Sequence, residues 1–278
     1  LEAAPKTVIS MSPILTELLY DMGLGDKLAA VSSFCTDESG NDPGLPKAGT
    51  AVLPDLTAIA EIQLEYILTM AQFSESDLLA LQQMNTEVIV FSAPQDLAGQ
   101  EALMTDLAVF FLGKEAGASA AADFITEFEA KLQEVTSPAS GYLEANSASV
   151  TVACLRVLNS TYATGDTLAD EFLEAAGLTN AAAEYTGWDI GEDGIAAVNP
   201  DVLFVNEGIH IADLETNDLY KKKTAVKGDK VYAVDLDLLS RGTLRSLDVL
   251  ETMLATVLPD AYPDLEPLSP AYPSIYKN

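Results

Sequence analysis

Val8-Ile9-Ser10-Met11-Ser12-Pro13-Ile14-Leu15-Thr16-Glu17-Leu18-Leu19 is the stretch on which the fold class turns. Lys6 to Met11 is largely apolar and β-branched, which predicts a strand, and Ser12-Pro13 offers a helix N-cap with proline at the first helical position. Ile14, Leu15, Leu18, Leu19 and Met22 then share one helical face. Gly23 and Gly25 end that helix before a second short strand, Leu28 to Val31. Strand, helix, strand in this order is a βαβ opening.

The same alternation continues outward. Ser32 to Val52 is rich in Gly, Pro, Asp and Ser and reads as an exposed loop. Asp55 caps a short helix through Ile62 before the strand Tyr66 to Met70; Asp77 to Met84 is helical, and Val88 to Phe91 reads as a buried strand. Asp96 to Leu112 is a helix, and Ala116 to Val135 a long amphipathic one that buries Phe124, Ile125, Phe128 and Leu132 and stops at Ser137-Pro138. A second α/β half opens with the strand Val150 to Leu155. There Gly165-Asp166 precedes a helix to Ala176, and Asp193 to Val198 is a short helix leading into the strand Asp201 to Val205. The strand Val231 to Val234 and the helix Thr243 to Val257 complete it. Asp55 to Leu68 and Asp193 to Val205 share one plan of helix, turn and buried strand, so two similar halves stand in one chain.

Composition excludes several function classes. With 49% hydrophobic and 21% charged residues over 278, the chain has a core to bury. Its 43 acidic residues against 14 basic ones leave a formal charge of −29, which repels phosphate backbones and anionic headgroups, so nucleic acid is not an expected partner. No run of about 18 apolar residues occurs. Cys35 and Cys154 are far apart in sequence and read as two free thiols, with a disulfide as the alternative. No GxGxxG, GxxxxGK, HExxH or GxSxG motif is present, and a single histidine, His210, excludes multi-His metal sites. The protein is expected to hold no metal directly.

The three arginines are the sharper signal. Arg156 ends a strand, and Arg241 and Arg245 lie in a segment that follows a strand and starts a helix, at places where parallel α/β halves bind ligands and where a guanidinium takes carboxylate or catecholate oxygens in pairs. The plainer alternative is that they pair with surface acids. Phe34, Tyr162, Tyr185 and Trp188 stand on predicted loops, either free to meet a ligand or tucked beneath the loop.

Val8 to Pro13 with Thr16 to Leu19, Gly23 to Asp26, Val31 to Phe34 and Leu45 to Gly49, followed by Thr164-Gly165, Leu173 to Gly177, Trp188 to Val205 and Gly242 to Leu254, resemble the substrate-binding proteins of the iron-complex and vitamin B12 class of ABC importers. The resemblance implies an α/β fold of two Rossmann-like lobes joined by a single long helix, with the ligand cleft between them. The N-terminal lobe would cover residues 1–112, the connecting helix 113–138 and the C-terminal lobe 139–278. It implies a monomer outside the cytoplasm, periplasmic or a cell-surface lipoprotein that meets the membrane only through a lipid anchor. Its partners would be an ABC permease with its ATPase, and its ligand a metal chelate, ferric by the same resemblance, on which no chemistry is done and beside which no cofactor is needed.

For the ligand, the resemblance ranks an anionic ferric siderophore first, because Arg156, Arg241 and Arg245 match cleft arginines of siderophore binders. Haem comes second, with Tyr162, Tyr185 or His210 as its axial ligand. A corrinoid such as cobalamin comes third, since Phe34, Tyr162 and Trp188 match aromatics of its binders whereas Ala51 and Met70 replace two others. The implied ligand-binding set is Phe34, Met70, Arg156, Tyr162, Tyr185, Trp188, Arg241 and Arg245. For docking on the permease, the family's carboxylate matches Asp193, with Glu192 beside it; in the first lobe the position holds Thr57, and Asp55 or Glu61 stands in. Two readings of another class are an enzyme built on Cys35 and His210, and a chelate-sensing domain with the same cleft.

Overall fold

The computed structural model describes residues 7–270. It divides into two compact units, the first running to Glu129 and the second starting at Ala130. The first unit begins with β1 (Val8–Ser10) and α1 (Pro13–Asp21). As the sequence predicts, Ser12 is the N-cap, its side chain accepting from the Leu15 N–H, and Pro13 opens the helix. There follow β2 (Leu28–Val31), α2 (Leu56–Ile62), β3 (Tyr66–Thr69), α3 (Glu75–Gln83), β4 (Glu87–Val90) and α4 (Leu97–Leu112). The sheet is wholly parallel in the order β2-β1-β3-β4. Ile9, Met11, Ala30, Ala48, Ile59, Ile67, Phe73 and Leu81 form a core within this unit.

One strand differs from its sequence reading. Val88 to Phe91 looked buried, yet β4 is the edge of the sheet and Val90 is 53% exposed. An apolar run marks a strand, but whether a neighbour covers it is decided by strand order, which lies outside the run itself.

α5 (Lys114–Asn146) crosses from the first unit into the second. α4 approaches it so closely that a Cβ on Gly117 would lie 2.4 Å from Val109 Cα. The helix does not stop at Pro138 but runs eight residues beyond it. Proline lacks an N–H and its ring pushes the preceding turn apart, which breaks backbone bonds. Here the Tyr262 hydroxyl enters the gap: it donates to Val135 O at 2.6 Å and accepts from the Ala139 N–H. Those are the two backbone groups that would otherwise bond each other. Burial pushes the Tyr262 hydroxyl up to about 12, so it stays protonated and able to donate.

The second unit continues with β5 (Thr151–Val157), β6 (Thr161–Tyr162), α6 (Leu168–Ala175), β7 (Thr179–Asn180), α7 (Gly191–Ala197) and β8 (Val202–Asn206), then α8 (Ile211–Thr216), α9 (Thr224–Lys227), β9 (Val231–Val234), α10 (Leu236–Leu239) and α11 (Leu244–Val257). β5, β8 and β9 lie side by side and parallel, β6 joins β5 antiparallel near its carboxyl end, and β7 pairs with the start of β5. The pair α2–β3 in the first unit and α7–β8 in the second keep the shared helix-then-strand plan. Arg241 does not follow a strand directly, because α10 intervenes between β9 and the Arg241–Arg245 segment. Among the described residues no helix is long and apolar enough to cross a membrane.

Candidate functional site

In parallel α/β sheets, ligands bind beyond the carboxyl ends of the strands. In the second unit these ends carry Arg156 on β5, Asn206 as the last residue of β8, and Asp237 on α10, three residues after β9. The structure joins them. Arg156 Nε donates to Asp237 Oδ1 at 2.5 Å, and the two side chains are 38% and 50% exposed. Asn206 Nδ2 donates to Asp237 Oδ2 at 3.3 Å, while Asn206 Oδ1 accepts from the Leu236 N–H at 3.1 Å, which fixes the orientation of the amide. The Arg156 guanidinium sits over the Trp188 ring, 5.2 Å from its centroid, at cation–π distance.

Trp188 reaches that place through a strained backbone. Its φ is 68°, in the left-handed region that bulky side chains avoid. Asp166 accepts the Gly187 N–H on both carboxylate oxygens at 3.0 and 2.9 Å. Thr164 Oγ1 donates to Asp166 Oδ1 at 2.6 Å and accepts the Trp188 N–H at 3.2 Å. There is no room for a side chain at Gly165, where a Cβ would lie 2.0 Å from Ala183 O. The hydrogen bond from Thr164 holds the Asp166 carboxyl below the usual aspartate range, helped by the Gly187 N–H and opposed by slight burial.

Of the other residues read from sequence, Tyr162 is corrected. It is fully buried among Ala153, Leu155, Leu203 and Val205, and burial raises its hydroxyl well above the usual tyrosine value. It is a packing residue that no ligand in solution meets, because β6 brings it under the loop instead of onto it. Tyr185 is half-buried against the same core, with Gly194 close to its ring. His210 is exposed ahead of α8. Arg241 and Arg245 are half-buried between α10 and the first turn of α11, where Thr243 forms a capping box with Ser246.

In the first unit, Phe34 lies three residues beyond β2 and is 69% exposed. Ser33 donates through its N–H and its hydroxyl to Gly49 O, at 2.8 and 3.1 Å. Gly49 bridges to Pro54, closing a tight turn that presents Val52 and Leu53, 70% and 74% exposed. Three large apolar side chains are thus exposed on two loops that the Ser33–Gly49 hydrogen bonds tie to each other. Val52 and Leu53 were not singled out from sequence. A lone apolar pair in a polar loop carries no periodicity, and its exposure follows only from the turn. Met70 is half-buried just past β3.

The profile of the periplasmic binding protein family matches residues 8–238, from the first strand to α10. This chain belongs to the periplasmic binding protein family. YvrC of Bacillus subtilis strain 168, an uncharacterised ABC transporter substrate-binding lipoprotein, is 25% identical over 261 residues, which cover 93% of this chain and 82% of that one. A periplasmic haem-binding protein from Pseudomonas aeruginosa matches with a TM-score of 0.74 at 20% identity, covering 95% of each chain. The periplasmic vitamin B12-binding protein BtuF of Vibrio cholerae matches with a TM-score of 0.63 at 21% identity, over 93% of this chain and 98% of its own. At such identities the solved structures attest the fold alone.

A periplasmic binding protein works outside the cytoplasm and is not an enzyme. Of the two residues weighed for catalysis, His210 is exposed ahead of α8 in the second unit, and Cys35 belongs to the first. Cys35 is buried, with Thr16 Oγ1 at 3.0 Å and Ser32 Oγ at 3.1 Å from its sulfur. Cys154 is buried in β5, and burial, with a smaller contribution from Asp170, pushes its thiol up to about 12. Both thiols are free. Glu192 and Asp193 are exposed on the first turn of α7, where a helix dipole favours carboxylates. On the opposite end of α7, the buried Lys223 Nζ donates to Ile195 O and Val198 O and so holds the helix C-terminus down. Burial lowers this ammonium to about 8. Asp55 is exposed but occupied as the N-cap of α2, Oδ1 accepting from the Thr57 and Ala58 N–H groups at 3.0 Å each. Glu61 is exposed on the last turn of the same helix.

Proposed function

We propose that this chain is the substrate-binding component of an ABC importer, capturing a metal chelate outside the cell and handing it to a permease driven by an ATPase. Family membership and the lipoprotein named among its relatives support the role. The observation that carries the ligand class is the exposed trio Phe34, Val52 and Leu53. A folded protein gains nothing from large apolar side chains held in water on two linked loops unless something covers them. A chelate with a broad apolar face, of the haem or corrin kind, fits that surface, and the haem- and vitamin B12-binding neighbours are in keeping with it.

A ferric siderophore with anionic donors is the second reading, favoured by Arg241 and Arg245 at the start of α11. It is less favoured than the arginine count suggests, because Arg156 already faces a carboxylate. Titration with haem, cyanocobalamin, a ferric catecholate and a ferric hydroxamate, followed by quenching of Trp188, tests the assignment. Haem or cyanocobalamin is expected to bind best. Burying a phenylalanine side chain contributes ~1.5–3 kcal/mol, so Phe34→Ser should weaken that binding at least about tenfold. Tight binding of a ferric catecholate by a protein indifferent to both tetrapyrroles would reverse the order, and no binding of any of the four would remove the chelate reading.

A further inference from the structure

We infer that Asp237 is a built-in counter-anion that neutralises Arg156 and so sets how strongly the second unit attracts an anionic ligand group. The arginine is the cation placed at the carboxyl end of β5, yet its Nε–H is already directed onto Asp237 Oδ1 at 2.5 Å. The pair is held in three ways. Asp237 stands on the first turn of α10, whose N-cap Asp235 accepts the Leu238 N–H at 2.8 Å and fixes the turn. Asn206, locked by the Leu236 N–H, offers its Nδ2 to Asp237 Oδ2. Trp188 covers the guanidinium from another side at 5.2 Å.

Both members of the pair remain partly open to solvent, so an arriving ligand meets them together. A ligand carboxylate that approaches the guanidinium from its remaining N–H groups comes within a few ångströms of the Asp237 carboxylate, and the two like charges oppose each other. A neutral or weakly anionic ligand meets no such opposition and still finds the Trp188 face. Arg156 is therefore an orienting group whose charge is cancelled locally, in a chain whose overall charge of −29 already disfavours anions. For ligand choice this rests on the chelate-binding reading above; the electrostatic claim concerns the ligand-free protein and is tested there.

Trp188 is the sole tryptophan, so its fluorescence reports this spot directly. The test compares quenching by iodide, an anion, with quenching by neutral acrylamide in the parent, Asp237→Asn, Arg156→Gln and the double variant. One unit of uncancelled positive charge near the ring should raise the local iodide concentration about twofold or more at physiological ionic strength. The ratio of iodide to acrylamide quenching should therefore rise at least about twofold in Asp237→Asn, fall in Arg156→Gln and return to the parental value in the double variant. Asp237→Ser provides the same loss of charge should the asparagine disturb α10. An unchanged ratio in both Asp237 variants, or a raised ratio that persists without Arg156, overturns the inference. In parallel titrations, Asp237→Asn should tighten binding of haem, a dicarboxylate, about threefold or more and leave cyanocobalamin unchanged. A parent that binds neither counts against the chelate reading alone, since the quenching result does not depend on it.

Discussion

Replacing Asp166 by alanine should release Trp188 from the place in which the second unit holds it. A bulky residue at φ 68° pays about 1–2 kcal/mol for the left-handed conformation. Against that cost stand the bonds from the Gly187 N–H to both Asp166 oxygens and the link through Thr164 to the Trp188 N–H. A hydrogen bond to a charged group contributes ~1.5–3 kcal/mol, and the solvent exposure of Gly187 brings this one down to about 1–1.4 kcal/mol. Its loss equals most of the strain, so the ratio of held to released Trp188 should fall about five- to tenfold. The assay is the emission maximum of Trp188 with its acrylamide quenching, checked by far-ultraviolet circular dichroism for retained fold. Asp166→Ala should shift emission to the red and increase quenching.

The pH dependence follows with a definite sign. Because the folded carboxyl is held below its ordinary value, the clamp is at full strength above the unfolded aspartate pKa of about 3.9, and it is lost as pH falls through the lower folded value. The parent should therefore show the red shift in acid only, whereas Asp166→Ala should show it already at neutral pH and change little through that window. Superimposable spectra of parent and variant at neutral pH would refute the reasoning. They would mean that the Tyr162 N–H to Trp188 O bond, at 2.9 Å, holds the loop unaided.

Lys223→Met keeps the length of the side chain but strips donors from Ile195 O and Val198 O, and should cost about 1–3 kcal/mol by denaturant unfolding. Since the folded ammonium is depressed to about 8, the parent should also gain stability relative to Lys223→Met as pH rises from about 8 towards the unfolded lysine value of about 10.4; equal midpoints throughout would show that the buried amine does not secure α7. Asp193→Arg, at an exposed position on α7, should leave chelate affinity intact and impair uptake in a reconstituted transporter, because a cation there opposes a basic permease surface. Undiminished transport would move the docking contact elsewhere, with Glu192 or Glu61 the next to examine.

Much of the fold was legible because its signals are local. Ser12, Asp55, Asp96 and Thr243 each cap the helix that the sequence places after them, since a cap bonds to N–H groups two or three residues on. Leu28 to Val31 and Val231 to Val234 are strands with the bounds the pattern assigns. The candidate site was legible only in part. Arg156 and Trp188 were named from their types and positions, but Asp237 was not, because one aspartate among many acids has no distinguishing mark until β5 and β9 lie in one sheet. Arg156 and Asp237 are 81 positions apart and become neighbours solely through β8 between those strands.

The amino-acid sequence by itself determined the α/β class, the repeated halves, the family, the long helix and the acidity of the chain. Each is carried by residue type and short-range spacing, which survive without knowledge of what packs on what. Tertiary structure alone decided that β4 is an edge, that Tyr162 is core, that α5 passes through Pro138 with the Tyr262 hydroxyl in its gap, and that the charge of Arg156 is cancelled by Asp237. These depend on contacts between residues distant in the chain, and the burial and pairing that give such residues their properties arise only when the sheets assemble.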